Sequence, residues 1–264
     1  MTPQEDGKDG ENLTSPNNSP GSSARSPRLR DSLVLVFTLL YPTVLTWLYF
    51  VCGKGLSPDV SKLCYVVGKS IQFAFPVLFV ALVLKERWLV RRFNSRGLLV
   101  GGLFGLAVAA LIFFSGRHCM TSAGSFAPLF ERLRAELMGR LEGFGFDSLG
   151  PYTVLFFFYS IVHSGLEEYY WRWFAFGRIA RRCSWLTAAF ITNAAFMLHH
   201  VVLLGVYFGY DNLLTWVCSF GVAVGGFVWQ AIYKKTDSVY GGWLSHGLID
   251  AGIFALGFLM LPSA

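Results

Sequence analysis

The sequence predicts an all-α protein: a polytopic transmembrane helical bundle of about seven spans (seven to eight), plus one amphipathic helix lying in the membrane interface. Three observations predict it. The composition is 54% hydrophobic and 14% charged, with a mean hydropathy of +0.49, whereas soluble domains carry about 25% charged residues. Apolar runs recur at close to the ~20 residues that a hydrocarbon core of ~30 Å requires. Basic residues gather in the loops between those runs, so the net charge of +6 reads as membrane topology rather than a nucleic-acid surface. The expected surroundings are a lipid bilayer, with no nucleic-acid partner. The 25 Phe, 11 Tyr and 8 Trp fit lipid-facing and interfacial positions.

Residues 1–30 are rich in Ser, Pro, Asn and Gly and cannot build a core, so they are expected to be a disordered tail. No apolar core or cleavage site of a signal peptide precedes the first span. Asn12-Leu-Thr14 matches a glycosylation sequon, but the topology derived below puts it on the cytoplasmic side, where the match is accidental. Residues 31–264 form the expected membrane bundle.

The first span is 32–52, kinkable at Pro42; the second is 64–84, with Lys69 inside it; the third is 98–114. Over 128–141, Leu129, Phe130, Leu133, Leu137 and Leu141 recur at helical spacing among Glu131, Arg132, Arg134, Glu136 and Arg140. That one-sided pattern predicts a helix in the interface rather than across it. The fourth span starts near Pro151, a good first-turn residue, and extends towards Gly177. The fifth is about 185–208, the sixth 212–232 and the seventh 242–260. Gly101-xxx-Gly105 and Gly221-xxx-Gly225 are spaced for close helix approach, a weak signal in glycine-rich spans.

Lys and Arg orient the bundle. With the N-terminus in the cytoplasm, that side holds Lys8, Arg25, Arg28, Arg30, Lys85, Arg87, Arg91, Arg92, Arg96, Arg178, Arg181, Arg182, Lys234 and Lys235. They outnumber Lys54, Lys62, Arg117, Arg132, Arg134 and Arg140 opposite. The protein is expected to be an integral, multi-pass membrane protein with a cytoplasmic N-terminus. The five cysteines show no metal-binding spacing. Cys52, Cys64 and Cys119 lie on the non-cytoplasmic side, where a disulfide is chemically allowed, though isolated small hydrophobes near helix ends are the plainer reading.

Against this background the ionisable residues inside spans stand out. Each charge at the bilayer centre costs roughly 2.5 kcal/mol or more, so such residues are functional suspects by default. Glu167 and Glu168 are adjacent in the fourth span. Glu168 precedes Arg172 by four residues, on one helix face and in the favourable acid-before-base order. That assigns Glu168 a partner and leaves Glu167, about 100° around the helix, as the freer carboxylate suited to general-base work. His163, one turn before Glu167, can touch it, but local packing is the simpler expectation. In the fifth span one of His199 and His200 must face inwards, and the bare residues do not choose between them. In the seventh, His246 and Asp250 share a face, either to act on a common ligand or to hold the helix packing.

Glu167-Glu168-xxx-Arg172, then Phe196-xxx-His200, then His246-xxx-Asp250 resemble the three ordered motifs of the CAAX-protease and bacteriocin-processing (CPBP, or Abi) family of intramembrane endopeptidases. The similarity covers roughly 150–255, the expected protease core. It implies that Glu167 and His200 activate a water, that Glu168 and Arg172 support them, and that His246 with Asp250 stabilises the oxyanion. It also implies Phe196 and His199 as neighbours of the catalytic set, and favours His200 over His199. Many members resemble the form His-xxx-Asn at the last motif, and Asp250 departs from it. An ionised Asp only accepts hydrogen bonds, so Asp250 must be protonated, orient His246, or ligate a metal. No metal or other cofactor is the favoured reading; were zinc present, Glu167, His200, His246 and Asp250 would be its ligands. The expected function is hydrolysis of a peptide bond in a membrane-anchored protein or peptide. The alternative is a non-catalytic transporter or scaffold that uses the buried charges as an ion or proton relay. One depth problem follows: His200 lies about 24 Å along a helix starting at 185, whereas His246 lies near the start of its own.

Overall fold

The computed structural model describes residues 29–86, 93–121 and 127–261. Among the described residues the chain forms eight long helices and no strand. Helix α1 is Leu29–Phe50; α2 is Pro58–Leu78, continued by a wide π-type turn over Phe79–Leu84; α3 is Ser95–Thr121; α4 is Ala127–Phe144. Helix α5 runs Leu149–Ile179, α6 Trp185–Phe208, α7 Leu213–Thr236 and α8 Tyr240–Phe258. The tail up to residue 28 with its sequon, and Arg87, Arg91 and Arg92 of the orientation argument, lie outside the described residues. Leu29 and Arg30, expected in the tail, already belong to α1.

Six of these helices, α1, α2, α3, α5, α6 and α7, are long and apolar enough to cross a membrane, the pattern of a multi-pass integral membrane protein. The expected seventh span forms as α8, yet falls outside that set. Its own sequence explains the shortfall: His246, Asp250 and glycines such as Gly241, Gly242 and Gly247 dilute its apolar character. Helix α2 begins six residues earlier than expected because Pro58 sits in its first turn, where a missing N–H costs nothing. Bulky apolar side chains such as Leu33, Leu40, Leu103, Leu111 and Phe190 face outwards, as lipid allows.

Helix α1 runs antiparallel to α2, and α6 to α7, and polar clamps hold the two ends. At one end Arg182 pairs with Asp31 at 3.6 Å and Arg178 with Glu86 at 3.0 Å. At the other, α4 lies across the ends of α1, α6 and α8, as its one-sided pattern led us to expect. Its Arg140 guanidinium stands 4.6 Å from the Phe50 ring, and Arg134 Nε donates to the Met260 carbonyl at 3.0 Å. All five cysteines are free.

The closest helix pair is α3 with α8. A Cβ on Gly101 would strike the Gly241 carbonyl, and one on Gly105 would lie 2.7 Å from the Ser245 carbonyl oxygen. The first glycine pair is therefore a true contact face. The second is not: a Cβ on Gly221 would meet nothing within 4 Å, because that turn of α7 faces outwards.

Candidate active site

Helix α5 is irregular where the carboxylates sit. Two wide π-type stretches, Phe158–His163 and Tyr169–Phe176, flank one ordinary turn, Ser164–Glu168. Such turns are rare and concentrate at functional sites. Each leaves carbonyls without their usual helical donors, which lipid cannot satisfy. Here Trp243 Nε1 of α8 donates to the Ile161 carbonyl at 2.7 Å, and Ser164 Oγ donates to that of Ser160 at 2.8 Å. The consequence is inward display of neighbours that a regular helix would splay apart. Glu167 and Glu168 are both buried, at 3% and 0% exposure, as are Tyr170, Trp171 and Arg172.

Glu168 is the held carboxylate. Its Oε1 lies 3.0 Å from Arg172 Nη1 and accepts from His246 Nδ1 at 3.0 Å. The Arg172 guanidinium sits between aromatic rings, 4.7 Å from Phe196 and 4.8 Å from Trp229, so its charge meets ring faces as well as the acid. Two glycines make room for this pair. A Cβ on Gly242 would lie 2.6 Å from Glu168 Oε2, and one on Gly226 would lie 3.0 Å from Arg172 Nη2.

Glu167 is ringed instead. His163 Nε2 lies 3.7 Å from its Oε1, His199 Nε2 3.9 Å from the same oxygen, and His246 Nε2 3.8 Å from Oε2. These gaps exceed a hydrogen bond, so three imidazole nitrogens from three helices surround the carboxylate without consuming it. His163, expected to pack locally, is thus within reach of the site. The depth problem dissolves in the same observation, since α6 and α8 bring His199 and His246 to one carboxylate.

Both histidines of α6 belong to the cluster. His199 is buried, stacks parallel on Trp171 with ring centres 5.7 Å apart, and makes the closer approach to Glu167. The His200 ring centre is 4.1 Å from that of His199. His200 Nδ1 lies 2.9 Å from the Phe196 carbonyl. A carbonyl only accepts, so Nδ1 carries the proton and Nε2 of a neutral ring is left as an acceptor. The same logic gives His246 a protonated Nδ1 facing Glu168. Its Nε2 then stands between Glu167 and Asp250, 3.8 Å from each carboxylate. Stacking on Trp229 at 4.3 Å, whose Nε1 donates to Ser245 Oγ at 2.9 Å, fixes the plane of the His246 ring.

The sequence reading did not place Trp171, Trp229 and Ser245 beside these groups. A buried amide network, Asn193 Nδ2 to Gln230 Oε1 at 2.8 Å and Gln230 Nε2 to Thr192 Oγ1, also went unread. Its signal was available, because Asn and Gln inside apolar spans need partners. Among the described residues, no group of three or more His, Cys, Asp or Glu is arranged to hold a metal ion.

Compared with known families, residues 149–252 match the model described as Rce1-like, type II CAAX prenyl endopeptidase. The similarity to the CAAX-protease family is thereby shown over the segment that carries every motif from Glu167 to Asp250. The chain matches no curated protein and no solved structure.

Proposed function

We propose that this membrane protein is an intramembrane endopeptidase that hydrolyses a peptide bond near the end of a membrane-anchored, prenylated protein tail. The observation that carries the reading is the contrast between the two adjacent carboxylates. Glu168 is engaged by Arg172 and His246, whereas Glu167 is surrounded by imidazoles and bonded to none.

In this reading a water sits between Glu167 and the histidines of α6, with the bare Nε2 of His200 as one acceptor. Glu167 takes a proton as the water oxygen bonds to the scissile carbonyl carbon. The carbonyl oxygen becomes an oxyanion, and protonated His246, held by Glu168 on one side and Asp250 on the other, donates Nε2–H to it. Collapse of the tetrahedral intermediate breaks the C–N bond, and Glu167 returns its proton to the leaving amine. The route uses no metal. The Lys and Arg distribution supports a cytoplasmic N-terminus.

The test is cleavage of a peptide bearing S-farnesyl cysteine by the purified full chain, read by mass spectrometry of the products. Glu167→Gln is expected to lower the rate by about 10²- to 10⁴-fold while leaving insertion and thermal midpoint unchanged. The reading fails if the parent protein yields no product, or if Glu167→Gln cleaves as well as it does. A rate that withstands a zinc chelator supports the metal-free route, and one abolished by it overturns that route.

A further inference from the structure

Helix α2 lies outside the segment that matches the family, yet it sends a cation to the site. Tyr65, Lys69 and Phe73 recur every four residues on α2 and meet a matching ladder on α5, Tyr159, His163 and Glu167. The rungs touch. Tyr65 and Tyr159 share a hydrogen bond between hydroxyls at 2.9 Å, and the Phe73 and His163 rings meet edge-on at 5.9 Å. Lys69 lies between those rungs, its ammonium 5.5 Å from the Phe73 ring centre, and His163, the ring that Phe73 meets, stands 3.7 Å from Glu167.

Two features separate Lys69 from an ordinary structural lysine. It is close to the midpoint of Asp59–Leu84, about 15 Å or more along the helix from either end, too deep for its side chain to reach the interface. Among the described residues, no carboxylate lies within ion-pairing distance of it, and the ion-pair contacts of Glu167 are with His163, His199 and His246. Three residues on, Gln72 is 1% exposed with neither amide atom hydrogen-bonded among the described residues. Helix α2 therefore carries uncommitted polar side chains inside its span, where an unpaired cation is expensive and calls for an anion.

We propose that Lys69 is the anchor for a carboxylate of the substrate, either the free C-terminal carboxylate or an acidic side chain close to the scissile bond. This rests on the endopeptidase reading for the word substrate, but not for the binding it foresees. The ammonium supplies a charge-assisted hydrogen bond that fixes the peptide's end, and so sets which bond reaches Glu167.

The experiment measures binding, by fluorescence anisotropy, of a fluorescein-labelled peptide with an S-farnesyl cysteine to the full chain carrying Glu167→Gln. The peptide is made as the free acid, as the C-terminal amide, and as the amide with glutamate in last place. The acid is expected to bind about tenfold tighter than the plain amide, a preference that Lys69→Met erases and Lys69→Arg keeps. Tight binding of the glutamate amide assigns the contact to an acidic side chain; preference for the acid alone assigns it to the C-terminus. Equal binding of acid and plain amide with the glutamate amide no tighter, or a preference that survives Lys69→Met, overturns the proposal. The first comparison needs no variant at position 69, so it holds even where Lys69→Met fails to fold. Cleavage of the acid peptide by the parent chain reads the endopeptidase activity separately.

Discussion

The face of α8 that meets α3 and the face that meets α5 differ in kind, although they belong to one helix of nineteen residues. Towards α3, Gly241, Ser245 and Gly252 bring backbone against backbone, and a Cβ on Gly252 would lie 2.9 Å from Ala109 Cα. Towards α5, Gly242, His246 and Asp250 present space for a carboxylate, an imidazole and an acid. The first face offers close apposition, the currency of helix association in lipid. The second offers groups that lipid penalises and that persist because they partner one another. Gly241 and Gly242, and Ser245 and His246, are adjacent in the chain, so the sequence interleaves a packing stripe with a chemical one.

The comparison is broken most sharply on the chemical face. His246→Gln removes the one ring nitrogen that stands between Glu167 and Asp250, and cleavage is expected to fall about 10²- to 10⁴-fold. Circular dichroism and the thermal midpoint should stay close to the parent's, because Arg172 still holds Glu168; coincident loss of fold and activity would make the two faces one. Gly101→Leu on the facing helix is the opposite case. The new side chain meets the Gly241 backbone, which has no rotamer to yield, and stability is expected to drop by about 1 to 3 kcal/mol. Activity per folded molecule should be retained, as measured by turnover normalised to the folded fraction. The smallest effect belongs to Asp250→Asn, expected to cost about tenfold or less in rate, since Asn can still accept from His246 and can also donate to an oxyanion. A fall as deep as that of His246→Gln would mean that the carboxylate itself moves a proton.

Much of this was legible beforehand, for physical reasons that the two stripes make plain. Span length is dictated by bilayer thickness, so the apolar runs located the helices, and 185–208 matches α6 at both ends. Four-residue spacing located the Glu168–Arg172 and His246–Asp250 relations, because those partners are covalently near. What pattern could not give was convergence between helices. Nothing in the fifth span alone says that the Nε2 of His199, rather than of His200, comes within 3.9 Å of Glu167, since both rings leave the same turn. Lys69 was visible as a charge in a span, but its place between the Tyr65–Tyr159 and Phe73–His163 contacts depends on how α2 packs against α5. Gly226 and Gly242, which seat the Arg172–Glu168 pair, looked no different from Gly221, which touches nothing. The wide turns of α5 left no mark that periodicity could detect.

Those wide turns set the phase of α5 between its anchored ends. Each holds surplus chain within a continuous helix, so the residues between them are turned about the axis relative to a regular rod. Ser164–Glu168 is the segment between the two reservoirs. The aim of Glu167 is therefore a fixed setting, like the phase of a shaft between two couplings, locked by the hold of Arg172 and His246 on Glu168, while Tyr152 near one end and Arg178 at the other tie the rod to its neighbours.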